Sequence, residues 1–219
     1  MFAQLKSVAL FYHQVGSGEP LLFLHGNSED HTIFKPLVEK LKDHFAIYAI
    51  DSRDHGQSGL TGQINYDLMA EDIHEFIEKL GLKQVNLVGF SDGAIVGLIM
   101  GMKYPQDLLK MILMGPNTDP DDLSPEAVRF LHQIIKDHQS PQFKMIFEQP
   151  HLKYEDLAKI TTQTLFIFGA NDLFKDEMID KLSKTINNSI LKILPDHDHM
   201  SYLVNNDFLY PYIMDFLKK

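Results

Sequence analysis

Val85-Asn86-Leu87-Val88-Gly89-Phe90-Ser91-Asp92-Gly93-Ala94-Ile95-Val96-Gly97-Leu98-Ile99-Met100 decides how this chain folds. Its first four residues form a short apolar run of the kind a strand buried on both faces requires, and from Ala94 the text becomes helix-like. Gly89 and Gly93 bracket Ser91, two residues away on either side. A strand that passes into a helix through so tight a turn leaves no room for a Cβ at either bracket, because crossing strand and helix would collide with it. The turn also sets the serine on a helix N-terminus, where backbone N–H groups lack intrahelical acceptors. An oxyanion formed beside Ser91 would meet those donors, the N–H of Asp92 among them.

Outward from this turn, similar apolar runs recur at Leu21–Leu24, Phe45–Ile50, Met111–Met114, Thr164–Phe168 and Ile190–Leu194. Helical spacing separates them, most clearly at Leu68, Met69, Asp72, Ile73, Phe76, Ile77 and Leu80, where Gly81 stops the run. Strand and helix therefore alternate, and the expected architecture is α/β: a mostly parallel central sheet flanked by helices. Val8–His13 reads as an earlier antiparallel strand turned back by Gly16-Ser17-Gly18-Glu19-Pro20. From Asn117 to Lys159 no strand candidate occurs, and Ser124 before Pro125 is a good helix start. Residues 117–160 are expected to form a short helical insertion, a lid over one end of the sheet, within a single domain of residues 1–219. Met100, Met102, Met111 and Met114 flank the elbow helix and the next strand and are expected in the core.

The chain has no cysteine, so disulfides, thiolate nucleophiles and Cys-based metal sites are excluded together. Thirty acidic against twenty basic side chains give a formal net charge of −10, and the lysines are spaced singly. Such a field repels nucleic acid and anionic membranes, so neither is expected as a partner. No stretch approaches the roughly 18 apolar residues of a membrane span, and Met1-Phe2-Ala3-Gln4-Leu5-Lys6 lacks a signal pattern. A cytoplasmic location is the resulting default expectation.

A serine hydroxyl needs a base, and the base needs an orienting carboxylate. In the turn Gly169-Ala170-Asn171-Asp172, Asp172 follows a strand; Asp176 and Glu177 fall within the next helix. His197 and His199 both follow the final strand Ile190–Leu194, and Met200-Ser201-Tyr202-Leu203 reads as the start of the last helix region. Metal binding by Asp196-His197-Asp198-His199 is a rival use of the same loop, but neighbours along one loop seldom converge on one ion.

The chain resembles a small serine hydrolase of the α/β-hydrolase fold family, from about Leu5 to Phe216. Besides the elbow, Leu24-His25-Gly26-Asn27 resembles the family's oxyanion loop, which implies that the Asn27 N–H joins that of Asp92 in the oxyanion hole and that His25 shapes the loop. Asp51-Ser52-Arg53-Asp54-His55-Gly56-Gln57-Ser58 resembles the D-x-R-x-x-G-x-S segment, chiefly structural in the family. The family order of serine, acid and histidine implies Ser91, Asp172 and His199; the histidine commonly lies four residues beyond a proline, as His199 lies beyond Pro195. Thr164 departs from the pattern, standing where a proline is common.

The function expected is hydrolysis of a small carboxylic ester through an acyl-enzyme, with no cofactor and no metal. Amide, thioester or carbon–carbon bond hydrolysis and acyl transfer use the same triad. A ligand-binding sensor with this fold and little turnover is the alternative from another class. Asp92, next to the nucleophile, has two readings: a carboxylate favoured by the helix N-terminus, or one that draws a cationic acyl substrate. Phe90, Phe130, Leu131, Ile134, Ile135, Phe143 and Phe147 are candidates for pocket or lid surface.

Overall fold

The computed structural model of the chain describes residues 1–135 and 139–218; residues 136–138 of the expected insertion, and residue 219 of the expected domain, lie outside them. Eight strands form one sheet: β1 (Phe2–Gln4), β2 (Ala9–Val15), β3 (Glu19–Leu24), β4 (Phe45–Ile50), β5 (Val85–Phe90), β6 (Leu108–Met114), β7 (Gln163–Asn171) and β8 (Ser189–Asp198). Their order across the sheet is β1-β2-β4-β3-β5-β6-β7-β8. The β1–β2 and β2–β4 pairs are antiparallel and all later pairs parallel.

Among the described residues, eight α-helices complete the layers: α1 (Lys35–Leu41), α2 (Tyr66–Lys79), α3 (Asp92–Lys103), α4 (Pro125–Ile135), α5 (Pro141–Glu148), α6 (Tyr154–Leu157), α7 (Asp176–Thr185) and α8 (Tyr210–Leu217). Alternate residues of each central strand serve opposite faces. Leu22 and Leu24 join the core beneath α2, α3 and α7, whereas Leu21 and Phe23 join the core beneath α1 and α8. Burial on both faces is the physical reason that these strands are written as unbroken apolar runs. Met100 and Met111 lie in the first core and Met114 in the second, with Met102 packed against the first. Among the described residues, no helix is long and apolar enough to cross a membrane.

The segment resembling D-x-R-x-x-G-x-S is a brace at the C-terminal end of β4. Asp51 accepts bonds from the N–H groups of His31 and Gln57, each at 2.8 Å, and from His31 Nδ1 at 2.7 Å. Gly56 has φ +52, and a Cβ there would meet the Asp51 carboxylate. Ser58 Oγ donates to the Asp51 carbonyl at 2.6 Å and accepts from the Phe11 N–H at 2.8 Å, tying β2 to the loop. Arg53 makes a two-pronged ion pair with Asp72 of α2, Nε to Oδ2 at 2.6 Å and Nη2 to Oδ1 at 2.7 Å, with both side chains buried.

Three expectations need correction. β8 does not end at Leu194: it continues to Asp198, with Pro195 inside it, because β8 is the sheet edge and a missing N–H there breaks no ladder. No helix begins at Met200; residues 200–205 are turns, and the last helix starts at Tyr210, where Pro211 suits a first turn. The Glu19-Pro20 end of the expected turn belongs to β3.

Removing one partner of the buried Arg53–Asp72 pair strands a charge in the interior. Asp72→Asn is therefore expected to lower stability by about 3–5 kcal/mol in chemical denaturation. A loss below roughly 1 kcal/mol, the range of an exposed pair, would contradict this role.

Candidate active site

Ser91 stands between β5 and α3 with φ +50 and ψ −113, a left-handed backbone that a non-glycine residue adopts only when its surroundings impose it. The surroundings do so. A Cβ on Gly89 would lie 2.3 Å from the Gly93 carbonyl, and one on Gly93 would lie 2.1 Å from the Leu24 carbonyl of β3. The Ser91 N–H donates to the Met114 carbonyl at 2.8 Å, and the Gly93 N–H donates to the His25 carbonyl at 3.1 Å. The elbow is thus clamped from β3 and from β6.

The structure brings Ser91, His199 and Asp172 together. Ser91 Oγ lies 3.1 Å from His199 Nε2, and His199 Nδ1 lies 2.7 Å from Asp172 Oδ1. Asp172 is itself held by the Gly169 N–H at 3.0 Å and the Leu173 N–H at 2.8 Å, and its side chain is almost wholly buried. Phe90 and Phe174 flank the imidazole with ring centroids 5.1 and 5.5 Å away. Gly115, at φ +59, leaves the space the ring occupies: a Cβ there would be 2.6 Å from His199 Cε1. His197 is directed elsewhere, to Ser201 Oγ at 3.1 Å and the Phe208 ring. Asp176 and Glu177 open α7.

Thr164 makes use of what a proline would lack. Its N–H donates to the Asn188 carbonyl at 2.9 Å and its Oγ1 to the Thr162 carbonyl at 2.9 Å, which ties down the start of β7 without a ring.

The loop after β3 is ordered by His25. Its Nε2 accepts from the Ser52 N–H at 3.0 Å, so Nδ1 carries the proton and donates to the Gly26 carbonyl at 2.7 Å. Burial, with the neighbouring His55, pushes the His25 pKa down to about 4. Asn27 and Asp92 each leave a backbone N–H without a protein acceptor among the described residues. The Asn27 side chain donates to Asp92 Oδ2 and to the Gln142 carbonyl, both at 2.9 Å. Tyr66, at the head of α2, donates its hydroxyl to Asp92 Oδ1 at 2.8 Å. Both Asp92 oxygens are thereby engaged in pinning α2 and the loop after β3 to α3. Burial raises the Asp92 pKa, opposed by the Tyr66 and Asn27 bonds.

A cavity of about 210 Å³ opens over Ser91 and His199. Phe90, Phe130, Leu131, Ile134 and Phe143 line it as apolar walls; Ile135 and Phe147 pack instead against the first core. Phe130 and Ile134 of α4 are also half exposed, at 53% and 50%, so they form its rim. Two residues of the cavity had no signal in the sequence. Tyr66 meets Asp92 across 26 positions, and Glu29 lies inside the cavity with Oε2 accepting from the Gly26 N–H at 2.9 Å.

Asp30, His31 and Asp51 bring their potential metal-ligating atoms within 4.8 Å of one another. Those atoms already serve the loop: His31 Nδ1 bonds Asp51, and Asp30 Oδ1 accepts from Thr32 N–H at 2.8 Å. The Asp196–His199 loop does not converge either, since Asp198 caps the Met200 and Ser201 N–H groups while His199 joins Asp172.

A profile of the alpha/beta hydrolase fold family matches residues 19–135, more than half of the chain, and the chain belongs to that family. It is 36% identical over 121 residues to ethanol acetyltransferase 1 of Cyberlindnera jadinii, a match covering 54% of this chain and 35% of that protein. The chain spans about a third of the length of the curated relatives it matches. Among solved structures, a thermophilic esterase from Thermogutta terrifontis superimposes with a TM-score of 0.79 at 22% identity, covering 96% of this chain and 93% of that one. The enol-lactonase from Burkholderia xenovorans gives a TM-score of 0.82 at 18% identity, with 100% of both chains covered.

A depressed histidine pKa means that the unfolded chain takes up a proton below about 6.5 that the fold refuses until about 4, so His25 makes stability fall as pH drops through that window. In an NMR titration the His25 ring is expected to stay neutral at pH 6 and to protonate near pH 4. A midpoint near 6.5 would contradict its role as a neutral, two-sided tie.

Proposed function

We propose that the chain is a serine-dependent acyl hydrolase that cleaves a small carboxylic ester through an acyl-enzyme. One observation carries the reading: an unbroken hydrogen-bonded line from Ser91 Oγ through His199 to Asp172, on an elbow strained into a left-handed conformation. In this reading Ser91 Oγ attacks the ester carbonyl and passes its proton to His199 Nε2. Asp172 holds the imidazole in the required tautomer and stabilises the imidazolium. The backbone N–H groups of Asn27 and Asp92 hold the oxyanion. Collapse of the tetrahedral species expels the alcohol, which takes the proton from His199, and leaves Ser91 acylated. A water molecule then repeats the sequence with the same base and releases the acid. The apolar walls and modest size of the cavity suit a short acyl chain.

Acyl transfer is a second reading with its own support, the similarity to ethanol acetyltransferase 1. It differs at one point: an alcohol rather than water attacks the acyl-enzyme. Adding ethanol to a reaction on a short aryl ester separates the two. Hydrolysis gives mainly free acid, whereas transfer gives the ethyl ester as the dominant product.

The nucleophile is tested by intact mass after treatment with a small fluorophosphonate. A single adduct is expected on the wild type and none on Ser91→Ala; no adduct on a folded wild type would favour the sensor reading. His199→Ala is expected to slow labelling by at least about 10³-fold, and His197→Ala to change it little. The reverse pattern would assign the base to His197. Gly115→Ala should slow labelling by about 10²-fold or more, because the added methyl displaces the imidazole without removing it.

A further inference from the structure

Among the described residues, two carboxylates line the cavity beside Ser91, and no lysine or arginine does. They are not equivalent. Asp92 has both oxygens occupied, by the Tyr66 hydroxyl and by the Asn27 amide. Glu29 has a single bond, from the Gly26 N–H to Oε2, and Oε1 has no partner among the described residues. A point on Gly26 where a Cβ would stand lies 2.9 Å from Glu29 Oε2 and 3.1 Å from Ser91 Cβ, so Gly26 separates the carboxylate from Ser91 by no more than the width of one missing side chain. Glu29 is partly buried, and a carboxylate with part of its hydration removed and one oxygen unbonded is a ready acceptor for a cation.

We propose that Glu29 is a subsite for a positively charged nitrogen carried next to the scissile carbonyl, so that the substrate is an ester of an α-amino acid. This rests on the acyl-enzyme reading above and names its substrate class. The proximity of Glu29 to Ser91 points to the α position, because that nitrogen is the one nearest the carbonyl that Ser91 would attack. An ammonium there would donate to Oε1, replacing the lost hydration of the carboxylate with a charge-assisted bond. It would also cancel a negative charge that otherwise opposes the oxyanion. The titratable groups facing Glu29 are His199, from the turn after β8, Asp92 at the head of α3, and Asp30 on its own loop. Burial dominates and pushes the Glu29 pKa up to about 7; the Gly26 N–H bond and His199 oppose it, and the two aspartates push the same way as burial. An empty subsite is thus partly protonated near neutrality, and a bound ammonium holds it ionised. The role drawn from sequence for Asp92, attraction of a cationic acyl group, passes to Glu29, because Asp92 is already fully bonded.

The test compares alanine ethyl ester with ethyl isobutyrate, in which a methyl replaces the ammonium. At pH 6.5 the amino group is charged, given an ordinary α-amino pKa of roughly 7.7–8.0. The ratio of kcat/KM for the two esters, measured on one preparation, is independent of the fraction of active protein. The wild type is expected to favour the alanine ester by about tenfold or more, and Glu29→Gln, which keeps an acceptor for the Gly26 N–H, to lower that ratio by about the same factor. A wild type that takes the fluorophosphonate label yet has no preference for the ammonium ester, or a preference that Glu29→Gln leaves in place, overturns the assignment to Glu29 alone. A folded wild type that neither labels nor cleaves either ester overturns the acyl-enzyme reading and this proposal with it.

Discussion

The left-handed backbone at Ser91 is the constraint on which the rest of the structure depends. A non-glycine residue in that conformation costs of order 1–3 kcal/mol, so it persists only where neighbours over-determine it. Here β3, β5, β6 and α3 do so at once. The Gly93 backbone touches Leu24 of β3, Gly89 touches the first turn of α3, and the Ser91 N–H is bonded to Met114 of β6. Parallel strands with helical crossovers put all of these chain ends on one edge of the sheet. The loops after β3, β7 and β8 therefore reach the same point, bringing Asn27, Asp172 and His199 to Ser91.

Much of the polar chemistry around that edge is support for the loops rather than for the reaction. His25 and Asp51 tie the ends of β3 and β4 to each other's loops, and Arg53 anchors the second loop to α2 through Asp72. Asp92, Tyr66 and Asn27 connect the elbow helix to α2 and to the loop after β3. Each of these groups is hydrogen-bonded, as burial requires. Glu29 differs from them in that its Oε1 has no partner among the described residues, and the proposed subsite rests on that difference.

The legible part of the sequence was the part whose signal is local. The strands appeared as apolar runs because they are buried on both faces, and the elbow appeared because two backbone contacts demand glycine at fixed offsets from Ser91. Asp172 and His199 could be named because the family resemblance supplies the order of the proposed acid and base and the interval from Pro195, and the structure gives His197, two residues away, a different partner. The Tyr66–Asp92–Asn27 pin was invisible because its members are joined by tertiary contacts between distant positions. β8 was read too short because Pro195 signals a stop anywhere but at a sheet edge, and edge position is a property of topology. The start of α8 was misplaced, although Pro211 marked it, since the apolar residues after His199 were read as helix where the chain forms turns.

The central claim is that Ser91 becomes covalently acylated during turnover. Rapid acid quenching of a reaction with p-nitrophenyl acetate, followed by mass analysis of the peptide carrying Ser91, observes that species directly. An acetyl group on Ser91 that appears with the first burst of nitrophenol and decays at the turnover rate is the expected result. Steady turnover with Ser91 unmodified at every time, in protein that loses no activity on Ser91→Ala, would contradict it.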